Sequence, residues 1–151
     1  MNKRASAIVA CAVAACGVTG AVLAAGPDPV SVARMMDWWM NKGGPALQRS
    51  LGHRGFRAAR PSVPAWLENT TDDTVNFIFE TKTCDWSKNQ TLGPGEGAEL
   101  SCQTTSGDNW YNLRFDNGNN HQTKLRLNGG DMAYFVWEDG QLRLFRYIPE
   151  G

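Results

Sequence analysis

Two aromatic and five polar side chains in the second half of the chain are of the types that bind sugars. Aromatic rings stack on sugar faces, while amides and imidazoles hydrogen-bond hydroxyl groups. They are Trp110, Tyr111 and Asn112 on one segment, and Asn119, Asn120, His121 and Gln122 on the next strand and its connecting loop. The set predicts a ligand-binding edge of the domain. The alternative places Trp110 in the core, where Trp66 and Trp86 are also expected, and gives the asparagines to turns.

The chain offers little for nucleophilic catalysis. The base beside a catalytic nucleophile is usually histidine, and this chain has two, His53 and His121. His53 falls in a predicted linker, His121 falls beside an asparagine-rich turn, and no nucleophile-elbow pattern accompanies them. We therefore expect no catalytic residues and no enzyme activity.

Metal and cofactor binding are not expected either. Two histidines far apart in sequence, with two cysteines predicted to pair, make no zinc site. The acid-poor run 116–120 lacks the spaced carboxylates and the closing glutamate of a calcium loop. We therefore expect neither a metal nor a cofactor.

Cys84 and Cys102 are the only cysteines after residue 25. The preceding segment, 1–25, has the pattern of an export signal: Lys3 and Arg4, then an apolar stretch that ends in small residues. Two lone thiols in an oxidising compartment are expected to form one disulfide. We therefore predict a periplasmic or extracellular protein with a Cys84–Cys102 bond.

Two other interpretations of the leader remain open. Residues 13–16 resemble the lipobox of bacterial lipoproteins, which implies acylation of Cys16. The uncharged stretch 5–25 also approaches the roughly 20 residues of a membrane helix, which would make the leader an uncleaved anchor. Both alternatives keep the folded part outside the cytosol.

Charge is unevenly distributed along the chain. The chain has 15 Lys+Arg and 15 Asp+Glu, and removal of the leader leaves 13 − 15 = −2. Residues 26–61 carry 6 − 2 = +4, while residues 62–151 carry 7 − 13 = −6. The basic segment is expected to contact an acidic surface, either a membrane or the β domain. Nucleic acid is not an expected partner, because the folded domain is acidic.

Residues 26–61 are predicted to form a basic helical arm and a flexible linker. Asp28-Pro29 is a favourable helix start, and Gly43-Gly44-Pro45 is expected to end the helix, with a second short turn after it. The helix either lies on the β domain or docks on a membrane or partner. Adjacent tryptophans should not share one face, so one is expected to remain for a partner. The predicted arm residues are Met36, Trp38, Trp39 and Met40. One apolar stripe of the helix is formed by Val32, Met36, Trp39 and Met40.

Residues 62–151 are predicted to form one β domain. Apolar residues alternate at period two, and turn signals such as Asp139-Gly140 separate the runs. Residues 132–137 are apolar on both sides, which is typical of a central strand. The predicted fold is a small antiparallel β-sandwich, or barrel-like sheet, of seven to eight strands. The expected strands are 64–68, 74–80, 88–92, 97–102, 109–115, 121–127, 131–138 and 141–148.

Two classes of function follow for an exported, non-catalytic β domain. The first is protein–protein interaction, as in an inhibitor, immunity or adaptor protein, with peripheral membrane contact through the basic arm. The second is carbohydrate binding, directed at cell-wall or extracellular polysaccharide. We expect the first, with an unidentified protein as the partner.

Overall fold

Eight strands form two four-stranded sheets that pack face to face. The computed structural model describes residues 26–52, 62–102, 107, 109–119 and 122–150. The strands are β1 (Ala65–Asn69), β2 (Val75–Glu80), β3 (Gln90–Leu92), β4 (Gly97–Leu100), β5 (Trp110–Asp116), β6 (Gln122–Asn128), β7 (Met132–Glu138) and β8 (Gln141–Tyr147). Each predicted strand is confirmed to within one or two residues at its ends. The predicted leader, 1–25, and most of the predicted linker, 53–61, lie outside the described residues.

The order of strands is β4-β1-β7-β8 in sheet A and β3-β2-β5-β6 in sheet B. The pairings are antiparallel except between β1 and β7, which run parallel, with Trp66 opposite Met132. The predicted β-sandwich is therefore confirmed. The parallel pair joins strands that are far apart in sequence, so local alternation does not reveal it.

The core lies between the two sheets and follows the predicted alternation. Phe77 from β2, Phe115 from β5 and Phe135 from β7 are all almost fully buried. Phe115 meets Phe135 edge to face, with ring centroids 5.0 Å apart. Side chains on a strand alternate between its two faces. The apolar residues at every second position of the strands therefore all face inward and form one continuous core.

The Cys84–Cys102 disulfide is present and confirms the predicted pairing. Cys84 follows β2 in sheet B and Cys102 follows β4 in sheet A, and their Cα atoms are 6.4 Å apart. The bond therefore ties together segments that leave opposite sheets. It is compatible with an oxidising, exported location.

The helix begins where the sequence predicts. Helix α1 (Pro29–Trp38) has Asp28 as its N-cap: Ser31 N–H donates to Asp28 Oδ1 at 2.8 Å, and Pro29 occupies the first turn. Proline is favourable there because the first N–H groups of a helix have no intrahelical acceptor.

The helix does not end at Gly43-Gly44-Pro45, and that prediction is wrong. The chain continues through a π-helical turn (Trp39–Gly43) into α2 (Gly44–Gly52). Within a regular helix, the ring of a proline meets the carbonyl four residues earlier. A π-turn is wider, and here it directly precedes Pro45, with Gly44 N–H donating to Trp39 O, so the helix continues past the proline.

Helix α1 packs on the outer face of sheet A. Met35 and Trp38 are buried against Met132, and the rings of Trp38 and Trp66 lie 5.8 Å apart. Trp39 is partly buried against the same cluster, so both tryptophans contact the domain; that one of them also serves a partner stays a prediction. None of the helices in the described ranges has both the length and the apolar character needed to cross a membrane.

Candidate functional site

The predicted sugar-binding residues do not form one site in the structure. Trp110 pairs with Asn128 at one end of the β5–β6 ladder, and Gln122 pairs with Asp116 at the other. Trp110 and Asp116 are six positions apart along β5, which is about 20 Å. Asn119 lies in the turn beyond Gln122's end of the ladder. Asn120 and His121 lie outside the described residues.

Tyr111 points into the core, away from any ligand. Its side chain has no exposed surface, and its hydroxyl donates to Val63 O at 2.8 Å. Trp110 and Asn112, which flank it, therefore lie on the opposite, outer face of sheet B. These two remain together from the predicted set, and a binding role for them stays a prediction.

Two tryptophan–arginine pairs lie on the outer face of sheet B. The guanidinium of Arg126 is 4.6 Å from the ring centroid of Trp110. The guanidinium of Arg114 is 4.2 Å from that of Trp86. Trp86 is thus a half-buried surface residue beside the strands, and its predicted place in the core is wrong. We call the surface formed by Ile78, Glu80, Trp86, Trp110, Asn112, Arg114 and Arg126 the Trp–Arg face.

A row of hydrogen bonds crosses the centre of the Trp–Arg face. Glu80, Asn112 and Arg126 lie opposite one another on β2, β5 and β6. Asn112 Nδ2 donates to Glu80 Oε1 at 2.8 Å, and Arg126 Nε donates to Asn112 Oδ1 at 3.2 Å. Asn112 is 9% exposed, so the row and the neighbouring rings cover it. The side chains of the face are therefore held in place by one another.

The Trp–Arg face and its border are more basic than the domain around them. Arg114, Lys124 and Arg126 project from it, against the two carboxylates of Glu80 and Asp116. The β domain as a whole carries 7 − 13 = −6. A local surplus of cations on an acidic domain favours contact with negatively charged groups.

The predicted arm residues mostly contact the domain itself. Trp38 is buried, and its Nε1–H donates to Glu99 Oε2 at 2.8 Å; Met36 and Trp39 are partly buried. Met40 is 63% exposed. The structure thus shows the first of the two alternatives, a helix lying on the β domain. Membrane or partner contact by the arm stays a prediction.

Glu68 is a buried carboxylate that sequence reasoning missed. It lies under helix α1 with no exposed surface, 3.3 Å from Arg34 Nη1, and its Oε2 accepts a hydrogen bond from Trp66 Nε1 at 2.9 Å. Burial raises the pKa of Glu68, while Trp66 and Arg34 oppose that rise. Since these partners belong to the helix and the sheet, Glu68 helps to hold the helix in place.

A cleft opens at the edge of the sandwich, between β6 and β8. Its volume is about 280 Å³, and its apolar lining includes Phe115, Leu125, Leu142 and Leu144. The sequence does not reveal this cleft directly. An edge strand whose inner face is partly exposed shows the same period-two alternation as a strand whose inner face is fully covered.

No group of three or more histidine, cysteine or acidic residues able to hold a metal ion occurs within the described ranges. Comparison with protein-family models, with curated proteins and with solved structures found no match for the chain.

Proposed function

We propose that this protein is an exported, non-catalytic module that binds another protein, and that the Trp–Arg face is its contact surface. The observation that carries the proposal is the pair of Trp–Arg contacts around the Glu80–Asn112–Arg126 row. Tryptophan and arginine are the residues most enriched among those that dominate binding energy in protein interfaces.

The proposal is supported by how rigidly these side chains are held. Arg126 contacts both the ring of Trp110 and the amide of Asn112. A side chain that is already ordered loses less conformational entropy when a partner binds. The face therefore presents large contact groups at a low entropic cost.

The accessibility of this sheet also supports the proposal. Helix α1 covers part of the outer face of sheet A, whereas no described helix packs on the outer face of sheet B. The cations of this face lie on an otherwise acidic domain. We therefore expect the partner to present an acidic surface.

Site-specific photo-crosslinking in cells that export the chain tests the proposal. A photoreactive residue at Ile78, on the Trp–Arg face, should give a discrete protein adduct. The same residue at Asp72, an exposed turn position on neither sheet face, should not. Trp110→Ala should weaken binding of the identified partner by about tenfold. Trp137→Ala is the matched control, because Trp137 is a 41% exposed indole outside this face.

Two outcomes would overturn the proposal. Equal adducts from Ile78 and Asp72, or none from either, would show that the face has no dedicated protein partner. A glycan-array signal that depends on Trp110, without a protein adduct, would instead identify a carbohydrate-binding module.

A further inference from the structure

The cleft between β6 and β8 is bordered by two strands whose outer edges pair with no other strand. β6 pairs with β5 and is the last strand of sheet B, and β8 pairs with β7 and is the last strand of sheet A. Phe115, Leu125, Leu142 and Leu144 form the apolar floor between them. Phe115 and Leu142 are buried, but Leu125 and Leu144 are only partly buried. Apolar surface is therefore accessible at an edge where backbone groups are also available.

The hydrogen bonds at the two ends of the cleft show which backbone groups point outward. Arg146 Nη2 donates to Arg126 O at 2.8 Å, so the carbonyl of Arg126 points away from β5. Leu142 N–H donates to Asn117 O at 2.9 Å, so it points away from β7. In an antiparallel strand, the N–H and C=O of one residue point to the same side, and successive residues alternate. Lys124 and Leu144, two positions along, therefore direct both backbone groups to the open edge.

The ends of the cleft are closed and its middle is open. The Arg146–Arg126 contact lies at one end and the Leu142–Asn117 contact at the other. Between them, no residue in the described ranges hydrogen-bonds the outward N–H or C=O of Lys124 or Leu144. The open stretch between the two closed ends suits a short extended segment. Such a segment would hydrogen-bond the outward N–H and C=O groups and bury its own apolar side chains on the floor of the cleft.

The charges on the two edge strands indicate what such a segment carries. β6 and β8 contain four cations and no acid: Lys124, Arg126, Arg143 and Arg146. Arg143 and Arg146 are ion-paired with Glu138 and Asp131, at 2.7 Å and 3.2 Å. Lys124, beside the open middle, forms no ion pair with any residue that the structure describes.

We propose that this cleft binds an extended segment of a partner protein in which apolar residues alternate with acidic ones. Apolar side chains of one face enter the cleft, the backbone pairs with Lys124 on β6 or Leu144 on β8, and the acids meet Lys124. Addition of a strand to a free sheet edge is a recurrent mode of peptide recognition. A lysine on a bare edge strand commonly prevents pairing, but that role does not require an apolar cleft beside it. The inference rests on the proposed protein-binding function.

Amide hydrogen exchange of the purified chain with a synthetic peptide tests the inference. The probe is a peptide that alternates valine and glutamate. One control has the same composition with valines and glutamates in separate blocks, and another replaces glutamate by lysine. The alternating acidic peptide should slow exchange at Lys124 or Leu144, and both controls should bind about tenfold more weakly or not at all. Equal binding of the block peptide, or binding without protection at either amide, would overturn the inference.

Two variants at one position separate the backbone from the charge. Lys124→Pro removes the outward N–H, which β5 does not use, and should abolish peptide binding if the segment pairs with β6; Lys124→Ala keeps the N–H and should only weaken binding through loss of the charge. If Lys124→Pro binds as well as Lys124→Ala, and Leu144 is not protected, the strand-addition mode is wrong. Should the proline variant fail to fold, exchange at Lys124 and Leu144 in the unaltered chain decides.

Trp110→Ala separates this inference from the proposed function. It should leave peptide binding in the cleft unchanged, because Trp110 lies on the outer face of sheet B and does not line the cleft. Loss of the crosslinked partner with retained peptide binding would indicate two separate contact areas. Loss of peptide binding in a folded Trp110→Ala variant would show that the peptide binds the Trp–Arg face instead, which contradicts the cleft assignment.

Discussion

The ring of Trp38 lies over Gly43: a Cβ at residue 43 would be 2.6 Å from Trp38 Cζ3. The ring reaches this position because the π-turn places Gly43 beside it, and Gly43 is buried there. The glycine is therefore required by the close packing of an indole ring and not by a change of backbone direction. This contact couples the shape of the helix to its docking on sheet A.

Gly43→Ala should displace Trp38 and destabilise the docked helix. Overpacking of this kind typically costs about 1–3 kcal/mol, measurable by urea unfolding followed by tryptophan fluorescence. Gly52→Ala is the matched control, since a Cβ at this second helical glycine meets nothing within 4 Å. Gly52→Ala should be neutral or slightly stabilising. Equal effects of the two substitutions would contradict the packing role of Gly43.

The buried Glu68 should make stability depend on pH. Burial, the largest effect, raises the pKa of Glu68 in the folded protein, and Trp66, Arg34 and Ser31 oppose the rise while Asp28 adds to it. The contribution of Glu68 is then fully present below the unfolded-state pKa and is lost as pH rises through the raised folded-state pKa. As the pH rises from the unfolded-state pKa to the folded-state pKa of Glu68, the free energy of unfolding of the unaltered protein should fall relative to that of Glu68→Gln. Denaturant unfolding of both proteins at a series of pH values measures the difference in their free energies of unfolding. A difference that does not change with pH would show that Glu68 does not make stability depend on pH.

Loss of the disulfide should lower thermal stability. The bond closes a sequence separation of 18 residues, and the chain-entropy model assigns such a loop about 3 kcal/mol. The Cys84→Ser/Cys102→Ser variant should therefore melt at least about 5 °C lower. Calorimetry should be carried out in a background with Cys11→Ser and Cys16→Ser, so that no leader thiol interferes. Free thiols in that oxidised background would show that the pair is not bonded.

Removal of the Tyr111 hydroxyl should affect stability and leave partner binding unchanged. Tyr111→Phe leaves the buried carbonyl of Val63 without this donor, which costs about 1–2 kcal/mol. Tyr147→Phe is the control, because the Tyr147 hydroxyl forms no hydrogen bond to another described residue. Chemical denaturation measures the loss. A Tyr111→Phe variant of unchanged stability but reduced partner binding would place Tyr111 in the binding surface, contrary to its burial.

Several elements could be predicted because their signals are local. Period-two alternation located all eight strands, and Asp28-Pro29 located the start of the helix. Alternation along β5 places Tyr111 on the same inward face as Leu113 and Phe115, and the order strand, turn, strand places Trp110 and Gln122 at opposite ends of a hairpin. The predicted sugar-binding set combined residues by type without applying these two constraints.

Other features depend on contacts between distant parts of the chain. Gly43-Gly44-Pro45 has the composition of a helix end, and the predicted stripe placed Met40 rather than Met35 on the packed face. Turn propensities describe an isolated segment and cannot include the ring of Trp38 or the surface of sheet A. The contact between Trp86 and Arg114 also joins distant parts of the chain, because Trp86 lies in the loop after β2 and Arg114 lies on β5.

The sequence by itself determined the eight strands, the helix start and the pair of cysteines, because alternation, capping and thiol number are properties of short segments or of composition. Only the tertiary structure decided the parallel pairing of β1 with β7, the burial of Glu68 under the helix, and the two surfaces formed by the Trp–Arg face and the edge cleft. These depend on sheet order and register, which arise when residues distant in sequence pack together.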